Sequence, residues 1–236
     1  EFWHPDEYFD LPPVTSSANA AYIPIMTGCN NFCTYCAVPY TRGRERSRPA
    51  KDIIRDAKNA IKNKKTEIWL LGQNVNSYKY GFPKLLKTIN ALAGDFKIYF
   101  MSSHPKDFSD NLIKAIAENK KVSREIHLPV QSGDNAILKK MNRKYTVSHY
   151  KNLIKKIRKA VSDVKISTDA IVGFPGETKK QFQNTAKMFK ELKFGKAYIG
   201  KYSPRPGTPA AKIKDNVPIE EKKRRWKILN EIANIS

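Results

Sequence analysis

The chain has 236 residues, 40% of them apolar, and carries 44 Lys and Arg against 22 Asp and Glu, a net charge of +22. That length and apolar content suit one large folded domain or two small ones and exclude a disordered polyelectrolyte. No apolar run approaches the roughly 18 residues that a membrane-spanning helix needs, and the surplus of positive charge points to a polyanionic partner, nucleic acid first. The plainer reading of that charge is a solvated basic surface in a chain rich in Lys, Asn and Ile.

In chain order, residues 1–20 show little periodicity and read as a linker or strap. The opening Glu1-Phe2-Trp3-His4-Pro5-Asp6 lacks the basic and apolar regions of a signal peptide. With cysteines suited to a reduced state, this places the protein in the cytoplasm. A start without Met suggests a piece of a longer protein. Residues 21–26 form a short apolar strand that runs straight into Gly28-Cys29-Asn30-Asn31-Phe32-Cys33-Thr34-Tyr35-Cys36, which holds all three cysteines. Thiolates at short spacing hold iron–sulfur clusters. Three of them on a four-iron cluster leave one iron open, and an open position marks a catalytic metal site rather than a structural one. A structural zinc would want a fourth protein ligand, and no His or further Cys lies near. An odd number of cysteines does not make a disulfide framework.

Directly after Cys36, the stretch 42–48 places Arg42, Arg44, Arg46 and Arg48 at alternate positions. Extended backbone would put all four on one face. Such a row can clamp phosphates bidentately, or pair with internal carboxylates and brace the cysteine loop. From there helical and strand-like patterns alternate. Helices are expected over 52–63, 83–92, 108–117, 147–161, 179–192 and 219–235, and strands over 67–71, 97–101, 125–130, 165–172 and 196–202. The fold class is α/β: six β/α units with parallel-sheet character, an incomplete (β/α)6 partial TIM barrel. One side would be open and could admit a macromolecule. Barrel sites are built at the C-terminal ends of the strands, and polar residues recur there: Gln73, Ser103, Gln131 and, on the fifth strand, Asp169. These are candidates to bind a polar cofactor, with Arg143 as a fork for a carboxylate. His104, His127 and His149 show no partner pattern, and no role is given to them.

Three-cysteine spacing with an aromatic, Tyr35, before the last cysteine resembles the radical S-adenosylmethionine (SAM) enzymes. The resemblance narrows to their methylthiotransferases through the stretch from Met26-Thr27-Gly28-Cys29 to Arg48-Pro49, Leu71-Gly72-Gln73-Asn74-Val75-Asn76-Ser77-Tyr78, Ser103-His104-Pro105, Leu128-Pro129-Val130-Gln131-Ser132-Gly133, Gly173-Phe174-Pro175-Gly176-Glu177-Thr178 and Tyr202-Ser203-Pro204-Arg205-Pro206-Gly207-Thr208. The wording after the second and fourth strands is similar to the tRNA branch acting on isopentenyladenosine beside the anticodon. The threonylcarbamoyladenosine branch is the nearer alternative, the ribosomal-protein branch the more distant. Asp134 stands where the isopentenyladenosine branch would have a small polar residue.

The resemblance implies a 4Fe-4S cluster on Cys29, Cys33 and Cys36, SAM bound by Tyr35, Gln73, Ser103, Gln131, Arg143 and Asp169, and RNA met by Arg42, Arg44, Arg46 and Arg48. It implies radical abstraction of hydrogen from adenine C2 followed by methylthio insertion, with electrons from a flavodoxin or ferredoxin and a monomeric enzyme. In that family a second 4Fe-4S cluster sits in an N-terminal domain and a small module at the C-terminus binds RNA. Residues 1–20 would then be a strap from the first, 21–217 the radical SAM barrel, and 218–236 a basic helix leading to the second. A chain with three cysteines would cleave SAM without methylthiolating RNA. From another class, the competing reading is a zinc-stabilised RNA-binding module without catalysis.

Overall fold

A computed structural model describes Phe9 and residues 18–233 of the chain. Nearly all of the strap expected over 1–20, and residues 234 and 235 of the closing helix, lie outside the described residues. The first strand, β1 (Ala20–Pro24), leads through the two-residue β2 (Met26–Thr27) into the cysteine loop. The loop ends in one helical turn, α1 (Val38–Thr41), and β3 (Arg46–Ser47) returns antiparallel to β2. There follow α2 (Ala50–Lys62), β4 (Glu67–Leu71), α3 (Phe82–Asn90), β5 (Lys97–Phe100), α4 (Asp110–Glu118), β6 (Glu125–His127), α5 (Asn135–Lys140), α6 (Val147–Ala160), β7 (Lys165–Val172), α7 (Lys179–Leu192), β8 (Lys196–Lys201) and α8 (Ile219–Ala233).

The six barrel strands form two parallel sheets in chain order, β1-β4-β5 and β6-β7-β8. At the seam Ile98 N donates to Lys121 O at 2.7 Å and Ser123 N to Ile98 O at 2.8 Å, so the wall runs on from β5 to β6. Among the described residues β1 and β8 are edge strands. This is the incomplete (β/α)6 barrel expected from the alternation.

The outer face of each strand is packed against helices, as Ile68 and Leu70 of β4, Ile98 and Phe100 of β5, and Ile166, Thr168, Ala170 and Val172 of β7 show. The inner face is less filled. Trp69, Tyr99, His127 and Ser167 are half-buried and Tyr198 is 48% exposed. A closed eight-stranded barrel packs its interior with side chains; this open one keeps a lumen of about 380 Å3 lined by those five residues and Met101.

Two local departures from the sequence reading have plain causes. The strand expected over 125–130 stops at His127 because Pro129 has no N–H to give to the ladder. Val130 N instead donates to the Thr168 hydroxyl, and pairing resumes where Gln131 N donates to Asp169 O at 2.8 Å. The helix α5 was not expected. Asp134 caps it, accepting from Ala136 N and Ile137 N, and also accepts from Asn184 Nδ2 of α7 at 2.8 Å. The acidic residue at 134 is therefore an N-cap.

Candidate cofactor site

The cysteine loop turns on Gly28, whose φ of +76° belongs to glycine. A Cβ there would lie 2.1 Å from the Arg44 carbonyl oxygen. Close approach lets Cys29 N donate to Gly43 O, while Asn30 and Glu45 exchange two side-chain-to-backbone hydrogen bonds. The other side of the loop is held by the turn after α5. Asn142 Nδ2 donates to Asn31 O and Phe32 O at 3.0 and 2.9 Å, and Thr34 binds Met141 O and Lys140 O. Ala210 N donates to Thr34 O. Tyr35 packs against a small apolar cluster of Ile137, Met141, Phe174, Tyr202 and Ala210, which seats Cys36 near the tips of β7 and β8. Asn142 was missed in the sequence; its φ of +56°, a conformation that Asn tolerates, is the one local signal it carries.

All three thiols are free, and burial pushes those of Cys29 and Cys36 above the usual thiol range. They need a strong cationic partner to become thiolates. Among the described residues no three His, Cys, Asp or Glu side chains are gathered to hold a single metal ion. Three thiols that bind three different irons of a cluster need not converge on one point, whereas a zinc site must. Three cysteine sulfurs on one short loop are the kind of donor set that holds an iron–sulfur cluster.

The strand tips beside the loop carry a second fit. Gln73 Oε1 and Asn74 Oδ1 after β4, and Ser103 Oγ and His104 Nε2 after β5, are buried with no hydrogen-bond partner among the described residues. Unpaired buried polar atoms cost about 1–3 kcal/mol each, so these four make the tips of two adjacent strands a cradle that a polar ligand would satisfy. The cradle is rigid: Asn76 and His104 exchange hydrogen bonds, and Asn74 Nδ2 donates to Asp107. On the far side of Cys36, a cavity of about 620 Å3 is lined by Tyr35, Gln131, Asp169, Tyr202 and Arg205. Gln131 holds a φ of +69° there, and Asp169 Oδ2 lies 3.2 Å from His127 Nε2. His104 and Arg205 are further residues of the site that the sequence reading passed over.

The arginine row does not form. Gly43, at φ +72°, breaks the extended run, and the four side chains part. Arg42 and Arg44 are exposed, with the Arg44 guanidinium 4.5 Å from the centre of the Phe32 ring. Arg46 is half-buried in β3. Arg48 is 6% exposed, pairs with Asp56 at 2.6 Å and braces the entry to α2. Arg143 is also placed otherwise than as a free fork. Its Nε donates to Tyr145 Oη, Nη2 to Pro129 O and Nη1 to Cys33 Sγ.

A partial parallel barrel with a three-cysteine loop at the C-terminal ends of its strands defines the class, and the comparisons agree. The chain belongs to the Radical SAM superfamily, which it matches over residues 23–189. It is 51% identical over 216 residues to the tRNA-2-methylthio-N(6)-dimethylallyladenosine synthase of Endomicrobium trichonymphae, covering 90% of this chain and 52% of that one. To the enzyme of the same name from Clostridium tetani it is 47% identical over 244 residues, covering 100% and 54%. The chain thus spans about half the length of these relatives. Among solved structures, the methyltransferase TsrM from Kitasatospora setae, with cobalamin and a [4Fe-4S] cluster bound, superposes with a TM-score of 0.70 at 16% identity, covering 80% of this chain and 38% of that one. Coproporphyrinogen III oxidase from Escherichia coli gives 0.63 at 19%, covering 90% and 50%. At such identities the likeness is one of fold.

Proposed function

We propose that this chain is the radical SAM barrel of a tRNA methylthiotransferase that converts N6-dimethylallyladenosine beside the anticodon to its 2-methylthio derivative. The observation that carries the reading is the thiol loop set against the cradle of unpaired polar atoms, in a chain about 50% identical to enzymes of that name. Cys29, Cys33 and Cys36 hold a 4Fe-4S cluster, which when bound supplies the electron that splits SAM. Gln73, Asn74, Ser103 and His104 meet the amino acid end of SAM. Gln131 and Asp169 meet its ribose, and Tyr35 and Tyr202 wall its cavity.

Arg42, Arg44, Lys139, Lys140, Lys144 and Arg205 are exposed on the cysteine loop, the last turn of α5 and the loops beside them, where an RNA backbone would lie. The protein works as a monomer in the cytoplasm with a flavodoxin or ferredoxin as donor. Among the described residues no helix is long and apolar enough to cross a membrane.

Anaerobic loading with iron and sulfide, then dithionite and SAM, tests the reading. A brown protein that releases deoxyadenosine, and a Cys33→Ala variant that does not, are expected, with no methylthiolation of RNA by this chain alone. A colourless protein that retains zinc and yields no deoxyadenosine would overturn it.

A further inference from the structure

Arg143 is a buried cation that no carboxylate among the described residues neutralises. It is 7% exposed, and its side-chain partners are a phenol (Tyr145 Oη, 2.9 Å), a carbonyl (Pro129 O, 2.6 Å) and a sulfur (Cys33 Sγ, 3.6 Å). The platform beneath it is fixed. Tyr145 Oη donates to Val130 O at 2.8 Å, and Arg143 N donates to Leu138 O at 2.8 Å. A charge buried without an opposite one is costly. The group placed to receive it is the sulfur of a cysteine that, as a free thiol, carries no charge.

The three cysteines are therefore unlike. Cys29 Sγ accepts from a neutral amide, Asn31 Nδ2, at 3.5 Å, whereas Cys33 faces a fixed guanidinium. We propose that Arg143 tunes the electron affinity of the cluster, acting through Cys33 as a positioning and charge-balancing residue rather than as a ligand for the SAM carboxylate. The proposal rests on the cluster reading above. Hydrogen bonds to cluster sulfurs and net local charge are among the levers that set an iron–sulfur potential. When the cluster takes one electron from a low-potential donor, no bond changes and its charge becomes one unit more negative. A guanidinium held against one of its sulfurs stabilises that reduced form more than the oxidised one, so it raises the potential. Removing it makes the cluster harder to reduce.

The whole 236-residue chain, loaded anaerobically with ferrous iron and sulfide, provides the test. Iron content is measured first, and the midpoint potential then follows from a mediated dithionite titration read by visible bleaching and electron paramagnetic resonance. Arg143→Gln is expected to shift the midpoint to more negative potential at unchanged iron content. Arg143→Lys, which keeps the charge but not the fork, is expected to shift it less. Should the Gln variant fail to hold iron, the Lys variant against the parent chain decides. Potentials equal to the parent's in every variant that holds the cluster would overturn the proposal. A parent chain that takes up no iron would overturn the cluster reading itself, and this proposal with it.

Discussion

His104 shows how a single residue can be unremarkable in sequence and constrained in the fold. Its Nδ1 accepts from Lys106 N at 3.2 Å, so the neutral ring carries its proton on Nε2, which is buried without a partner. Burial, with Arg143 and Lys106 adding to it, lowers the ring's pKa from 6.5 to about 2. The unfolded chain takes up a proton below about 6.5 that the folded chain refuses until about 2. His104 therefore contributes stability that is present above the unfolded pKa and lost as pH falls through that window, at up to about 1.4 kcal/mol per pH unit. His104→Asn keeps an acceptor near Lys106 N and removes the titration. Urea unfolding between about pH 7 and pH 4 should show a flatter acid limb for the variant than for the parent. An unchanged slope would mean that the ring opens to solvent before it protonates.

Among elements, α8 carries most against first appearance. Its run Lys222-Lys223-Arg224-Arg225 reads as a basic tract, yet positions three apart share a helix face, and Lys222 and Arg225 turn inward at 4% and 3% exposure. Lys222 pairs with Asp215 and underlies Gly173, where a Cβ would come 2.4 Å from its Cγ. Arg225 binds Glu177 Oε2 at 2.7 Å, the Glu177 carbonyl and Glu221, and Glu177 in turn accepts from Gly173 N at 2.7 Å. The helix thus clamps the turn between β7 and α7 that carries Phe174 into the packing around Tyr35. Arg225→Met strands Glu177 as a buried unpaired carboxylate and should cost about 3–5 kcal/mol in urea unfolding. Adding Glu177→Gln should recover part of that loss. Additive costs would show the two residues to be uncoupled.

The same logic marks what the sequence could disclose. Strand 165–172 and helix 179–192 were legible to the residue, because alternation in one and a capping Thr178 with Gln181 in the other are local signals. The arginine row and the helix after Asp134 were not. The first depends on a left-handed Gly43, and the second is a single short turn-and-a-half whose cap reaches to α7.

At the scale of the whole molecule, openness and charge work together. The gap between β1 and β8 leaves the lumen accessible from the side, and the basic residues on the cysteine loop and its neighbours surround the strand tips. A polyanion that lies across this face should release counterions in proportion to the phosphates it pairs. If three to six of the six exposed cations there engage an anticodon stem-loop RNA, log K against log salt should slope by about −2 to −5. Lys139→Glu with Lys144→Glu, both exposed next to the turn that binds the cysteine loop, should weaken binding and flatten that slope. Lys58→Glu, equally exposed but on α2 at the outer shell, changes net charge by the same amount per site and should leave the slope as it was. The contrast separates a local RNA surface from the diffuse attraction that a net charge of +22 exerts on any nucleic acid. Equal effects per site from the two faces would assign the binding to that diffuse field and leave the open face without a demonstrated partner.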